Sequence, residues 1–415
     1  VYAGLSHSRY ENITEVAQAK AALANASGRL LLQEWRRNHH VHENYNAASG
    51  AGDDVPNSNP FYTWGGLLGL VNLTHADYYS GRDFHQTQLV YTLLGFCVAV
   101  VLMLLDLTAL RRFAVVFYWI GILMLIAVLF TDPVNQSRRW LKIFGLTVQP
   151  SEAMKLIVAI TLADHFRNRR TGEIRSLFEL MKPLGIVLLP VCLILLEPDL
   201  GTAIVVFGVG FAVILFEGIR LRTFLALVGI FLLLFPVAWK FNIIRPYQKD
   251  RIMLWIAPEH FEWTRSKRAR LEKTLQPERA RWAIGSGQLA GKGAKQGSRI
   301  RLRYLPEMHT DFIVATLAEE YGFMGCIFLL LLYLGYISWG LRVSERASDR
   351  FGALLSLGVI TALALQVVIN LGMVTGMLPV VGVTLPLFSK GGSSLIVTMA
   401  GFGLLLNVAR SKGTL

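Results

Sequence analysis

Apolar residues run in long blocks along most of this chain, and polar residues gather in short breaks between them. No period-two alternation runs through the blocks, so membrane-barrel strands are not indicated. Several blocks approach the ~20 residues a helix needs to cross a bilayer. They predict membrane helices over 89–107, 113–130, 152–166, 183–196, 201–216, 223–240, 320–340, 351–377 and 395–409, with a weaker span near 61–73. The expected fold is all-α, a polytopic membrane helix bundle of about ten transmembrane helices. The shorter spans fit helices buried within a bundle.

Composition supports this picture. Of 415 residues, 53% are hydrophobic and 17% charged, against roughly 25% charged in a soluble domain. A soluble enzyme or a disordered chain is thereby excluded. Cys97, Cys192 and Cys326 all lie inside apolar runs, with no spacing that suggests a metal site or a disulfide framework. The net charge of +13 is concentrated in loops, so no nucleic-acid partner is expected.

Loop charge gives the orientation. Arg111 and Arg112, then Arg167, Arg169, Arg170 and Arg175, then Arg220 and Arg222, then Arg342, Arg346 and Arg350, and finally Arg410 and Lys412 follow alternate spans. That side is cytoplasmic by the positive-inside rule, and both termini are expected there. Arg138, Arg139 and Lys142 dissent on an outer loop. The long loop 241–310 falls outside, and its first 69 residues hold fifteen Lys or Arg against six Asp or Glu. Long loops are exempt from the charge rule, so a solvated basic loop is one reading. Its place at the outer mouth of a bundle favours an anionic ligand, phosphate above all.

Four segments carry candidate chemistry. Gly285-Ser-Gly-Gln-Leu-Ala-Gly-Lys-Gly293 is not a Walker loop, because Ser286 and Gly293 occupy positions that need glycine and a hydroxyl. Its amides with Lys292, Lys295 and Arg299 could still embrace phosphate. Gln149-Pro-Ser-Glu-Ala-Met-Lys155 opens a helix, with Glu152 and Lys155 on one face. They are either a dipole-complementing pair or groups facing a wet interior. In Glu197-Pro-Asp-Leu-Gly-Thr-Ala203, Asp199 is a natural N-cap for the helix that follows. Asp311, in Pro306-Glu-Met-His-Thr-Asp-Phe312, is either an N-cap or a general base for a sugar hydroxyl beside phosphate-binding cations. The Gly-rich connection ending in Phe388-Ser-Lys-Gly-Gly-Ser-Ser394 is consistent with a re-entrant turn.

Together, QPSEAMK (149–155), EPDLGTA (197–203), RPYQKDRI (245–252), the GSGQLAGKG run, LPEMHTDFI (305–313), LAEEYGF (317–323) and TGMLPVVGVTLPLFSKGGSSL (375–395) resemble the SEDS family of bacterial cell-wall polymerases, the RodA/FtsW group. The likeness covers about 66–412, and the RPYQKDRI and LPVVGVTLPLFSKGGSS stretches look more like RodA than FtsW. It implies a peptidoglycan glycosyltransferase of the bacterial inner membrane that polymerises lipid II onto a nascent glycan strand. Configuration inverts and undecaprenyl pyrophosphate leaves. It implies Asp311 as the catalytic carboxylate and Glu152, with Lys155 beside it, as important groups. Lys249, Arg251, Lys292 and Arg299, with His309, Lys390 and Ser393, are the substrate-binding candidates. No cofactor is certain; a divalent cation could share the pyrophosphate, though no ligand set for it is visible. The implied partners are a class B penicillin-binding protein and the elongation machinery. The alternative is a flippase for the lipid-linked precursor, which the nearly pure aliphatic fifth to seventh spans disfavour.

Residues 1–60 differ from the rest in being polar and lacking the parts of a signal peptide. Residues 1–71, chiefly 30–71, resemble a fragment of a glycoside hydrolase family 63-type barrel. Glycosidases of the usual kind need two opposed carboxylates, which Glu43 alone cannot supply. The expected division is a polar segment over 1–60, a fusion or assembly remnant, and a transmembrane polymerase domain over 61–415.

Overall fold

The computed structural model describes residues 84–132, 138–143, 146–168, 177–219, 246–256, 276–294 and 310–411, with isolated positions at 296 and between 223 and 240. The glycosidase-like segment 1–71, the weak span at 61–73 and most of the 223–240 span lie outside the described residues.

The described chain opens with α1 (Phe84–Leu104), α2 (Leu107–Arg112) and α3 (Ala114–Leu129). A short antiparallel hairpin, β1 (Leu141–Ile143) with β2 (Leu146–Val148), pairs Leu141 with Val148. Then come α4 (Pro150–Phe166), α5 (Leu177–Leu196), α6 (Leu200–Phe216), α7 (Pro246–Ile256), α8 (Gln276–Gly287), α9 (Ile313–Glu345), α10 (Arg350–Thr375) and α11 (Gly392–Arg410). Within these, Phe178–Leu196, α9, α10 and α11 are long and apolar enough to cross a membrane. Gln88–Leu104, α3 and α6 are shorter apolar helices. A helix of 17 residues spans about 26 Å, close to the ~30 Å hydrocarbon thickness. On α3, Val115, Trp119, Ile120 and Leu123 are exposed while Tyr118, Ile122 and Leu125 are buried. An apolar outer face of this kind belongs in lipid. The protein is an all-α, multi-pass membrane protein.

The centre of the bundle is α10, which packs on α4, α6 and α9. Small residues allow the approach: a Cβ on Gly358 would stand 2.6 Å from that of Ala159 on α4. Likewise α11 lies so close to α1 that a Cβ on Gly403 would strike the Ala99 carbonyl. Asn407 Nδ2 donates to the carbonyls of Leu102 (2.7 Å) and Leu105 (2.5 Å), serving the end of α1 where no helical donor remains.

Two features depart from the sequence expectations. The eighth span begins earlier than 320. It starts at Ile313 and breaks at Gly322, whose φ of 66° and ψ of −162° are not helical. The break frees the Phe323 and Met324 amides, which donate to the carbonyls of Gln288 (2.9 Å) and Leu289 (3.2 Å). The arginines that dissent from the expected charge bias also find a reason. Arg138 Nη1 donates to the Leu129 carbonyl at 2.8 Å, and Arg139 Nε to the Glu197 carbonyl at 3.2 Å. They cap the carbonyl ends of α3 and α5, so helix-end chemistry accounts for charges that the topological bias does not.

Candidate active site

The hairpin delivers the chain to Gln149, where three of the sequence motifs meet. Pro150 sits in the first turn of α4, where its missing N–H costs nothing. The Gln149 backbone N–H donates to Ser393 Oγ at 3.0 Å. Its side-chain Nε2 donates to Ser151 Oγ (3.0 Å) and to Asp199 Oδ2 (2.7 Å). Asp199 caps α6 as its position predicts, accepting from the Thr202 N–H and hydroxyl. Ser393 Oγ donates in turn to the Thr147 carbonyl at 3.0 Å. Ser393, named above among the substrate contacts, thus has its hydroxyl engaged by the hairpin and the start of α4.

One turn into α4, Lys155 Nζ donates to Glu152 Oε2 at 2.7 Å, with both side chains more than nine-tenths buried. Lys155 also borders a cavity of about 20 Å3, with Tyr336, Gln366 and Thr398 on its polar side. That is room for a water with polar partners. The pair is therefore a buried ion pair inside the bundle rather than a solvated first-turn pair.

Asp311 stands just before α9, half buried. The N-cap position of α9 is Phe312, one residue after Asp311. Its backbone carbonyl accepts from Asn370 Nδ2 at 3.0 Å, and the same amide donates to the Val383 carbonyl at 2.7 Å. Asn370 is fully buried on α10, four residues after the buried Gln366. One amide thus ties the candidate base to the loop between α10 and α11. A Cβ on Gly382 would lie 3.6 Å from Asp311 Oδ2, and Gly382 has φ +79°. The loop itself is clamped. Arg251 Nη1 on α7 donates to the Val380 carbonyl at 2.8 Å, and Tyr333 Oη to the Pro386 carbonyl at 2.5 Å. The Ser389 hydroxyl accepts from the Leu385 N–H, and Phe388 is wholly buried.

The other cations divide. Lys249 lies half buried on α7, two residues before Arg251, and Lys390 half buried at the end of the clamped loop. Lys292 is engaged elsewhere: its Nζ donates to Glu319 Oε1 at 2.5 Å and to Ser286 Oγ at 2.9 Å. The amides of the Gly-rich run are engaged too. Those of Gly291, Lys292 and Gly293 donate to the carbonyls of Gly287, Glu319 and Glu320. That run clasps the break in α9 instead of presenting its amides to a phosphate. Arg299 and His309 lie outside the described residues. Among the described residues no group of three His, Cys, Asp or Glu side chains stands together.

Sequence reasoning missed Asn370, Gln149 and Arg139 as organisers of this region. The signal for Asn370 was present, since two carboxamides four residues apart in an apolar span share one helix face.

In the turn after α5, Glu197 is fully buried and neither carboxylate oxygen has a partner among the described residues. Burial, with Asp199 nearby and Arg139 opposing, pushes its carboxyl up from 4.5 to about 8. Between those values the folded chain keeps a proton that the unfolded chain releases. Stability therefore falls as pH rises from about 4.5 to 8 and levels above that. Glu197→Gln should flatten this dependence and unfold at a higher temperature than wild type at pH 9. Parallel melting curves for the two proteins from pH 5 to 9 would count against it.

A family profile described as "Cell cycle protein", covering FtsW, RodA and SpoVE, matches residues 61–414. The chain belongs to this family. Among relatives of the FtsW/RodA/SpoVE type, the peptidoglycan glycosyltransferase MrdB of Escherichia coli K12 is 38% identical over 292 residues, 70% of this chain and 76% of MrdB. Stage V sporulation protein E of Bacillus subtilis 168 is 38% identical over 279 residues, 66% of this chain and 72% of its own. Of solved structures, the rod shape determining protein RodA of Thermus thermophilus aligns with a TM-score of 0.61 at 30% identity, covering 85% of this chain and 95% of RodA. A chain from a study of a peptidoglycan synthase complex that coordinates polymerisation and crosslinking aligns with a TM-score of 0.70 at 30% identity, covering 85% and 97%.

Proposed function

We propose that this protein is a peptidoglycan glycosyltransferase that builds glycan strands from lipid II during cell elongation. The observation that carries the reading is the meeting of Asp311, Arg251 and the 376–391 loop, in a chain whose family includes named glycosyltransferases. A carboxylate beside a cation-lined outer mouth suits deprotonation of a sugar hydroxyl by a group that must stay ionised. In this scheme Asp311 takes the proton of the acceptor GlcNAc 4-hydroxyl as that oxygen attacks the donor's anomeric carbon. The bond to undecaprenyl pyrophosphate breaks, with inversion. Lys249, Arg251 and Lys390 balance the leaving charge, with Arg299 and His309 as further candidates, and Glu152 with Lys155 holds the polar interior beneath. The charge of the short loops supports cytoplasmic termini and an outward-facing Asp311 in the bacterial plasma membrane. A class B penicillin-binding protein is the proposed partner, and a polymerase domain over 61–415 the proposed division of the chain.

The test is glycan-chain synthesis from fluorescent lipid II by the purified full-length protein, with and without a class B penicillin-binding protein. Polymer that needs this chain supports the reading. A well-folded protein that makes none in either arm, yet moves lipid II across vesicles, would establish the flippase instead.

A further inference from the structure

At the end of α4 remote from Gln149, about 26 Å along the helix, a cavity of about 350 Å3 is lined by Thr108, Arg111, Arg112, Asp164 and Arg167. Three guanidiniums from two separate elements converge on it, α2 supplying two and the end of α4 the third. Arg167 Nε is held 3.0 Å from Asp164 Oδ1. Arg111 and Arg112 are different. No carboxylate stands within 4.0 Å of either among the described residues, and neither side chain makes a hydrogen bond there. Asp106, five residues before Arg111 in sequence, accepts from the Thr108 N–H (2.9 Å) and hydroxyl (2.5 Å) while capping α2, and it feels both arginines only through the field. Elsewhere Arg138, Arg139, Arg251 and Arg350 all meet carbonyls or a carboxylate. A basic loop that served only to orient the chain would need no cavity and no convergence.

The surroundings are apolar and uncovered. Leu104, Leu105, Phe113 and Phe117 flank α2 and are exposed, with Phe113 immediately following Arg112 and its ring 6.4 Å from that of Phe117. A soluble anion has no use for such a rim, whereas a lipid whose headgroup sits on arginine lays its chains there.

We propose that this cavity binds the phosphodiester headgroup of an anionic phospholipid. Arg111 and Arg112 donate to the phosphate oxygens, and guanidinium matches that geometry better than ammonium. Arg167 stays oriented by Asp164 and adds field. The acyl chains run along Leu104, Leu105, Phe113 and Phe117. The site lies across the bilayer from Asp311 and is independent of the polymerase reading, because it depends only on the chain being a membrane protein.

The test uses full-length protein in nanodiscs of mixed phosphatidylglycerol and phosphatidylcholine, with retained lipids identified by native mass spectrometry. Wild type is expected to keep phosphatidylglycerol in preference. At roughly 1 kcal/mol for each basic residue near an anionic headgroup, Arg111→Gln with Arg112→Gln should lower that retention about thirty-fold. Arg346→Gln, a basic change away from the cavity, should not alter it. Should the double variant fail to fold, Arg112→Gln alone, at an exposed position, is expected to lose about five-fold. Retention unchanged in the arginine variants overturns the proposal. Displacement of the lipid by inorganic phosphate at matched concentration overturns it too, and assigns the cavity to a soluble anion.

Discussion

Asp311→Asn is expected to lower glycan polymerisation by about 10²–10⁴-fold while leaving folding intact. The two side chains are nearly isosteric, and asparagine keeps a carbonyl oxygen but cannot take a proton. Two features that hold this position act on its backbone and on the turn beside it. Asn370 binds the backbone carbonyl of residue 311, and the Gly382 turn approaches from the side. Neither depends on a negative charge, so the melting temperature should move little. Activity measured on detergent-purified protein at matched concentration, beside its melting curve, separates the roles. A near wild-type rate would remove Asp311 from the chemistry. Equal loss of rate and of stability would make it a structural residue.

Among the described residues, the positions and order of the apolar helices were legible because the bilayer imposes a simple rule on sequence. A helix must stay apolar for most of 30 Å, and α3, α5, α6, α10 and α11 do so. What stayed hidden were features decided by partners distant in sequence. The hairpin at 141–148 carries no alternation long enough to register, and it is seated by Ser393, far along the chain. Lys292 looked like a phosphate ligand because nothing local reveals that Glu319, 27 residues on, will meet it. The break at Gly322, two residues into the predicted 320–340 span, was likewise invisible, for it is fixed by the carbonyls of Gln288 and Leu289.

The candidate site divides the same way. Asp311, Glu152 and Lys155 could be singled out because charge is costly at a membrane helix end and so invites an explanation. Asn370 could be flagged beside Gln366, but Arg139 and Asn370 could be assigned partners only once the end of α5 and the 376–391 loop were in view. Their function is to hold backbone carbonyls, and any carbonyl in the chain was an equal candidate beforehand.

Lys155→Met is expected to destabilise the protein by about 3–5 kcal/mol, because it strands Glu152 as an uncompensated charge in a buried site. Glu152 is 6% exposed and Lys155 2%, so water cannot take the partner's place without rearrangement. Replacing both members, Glu152→Gln with Lys155→Met, removes the stranded charge and should recover most of the lost stability. The double change should therefore cost less than the sum of the single ones. Activity separates what stability alone cannot. If the pair only braces α4 against α10, the double variant regains polymerisation along with its melting temperature. If the pair serves the reaction by keeping a polar interior beneath the outer mouth, the double variant folds well and stays slow. The second outcome is expected, because the small cavity beside Lys155, bordered by Gln366, continues the α10 face that carries Asn370 to Asp311. Strictly additive losses of stability in the two single variants would mean that Glu152 and Lys155 serve separate purposes, despite the 2.7 Å contact between them.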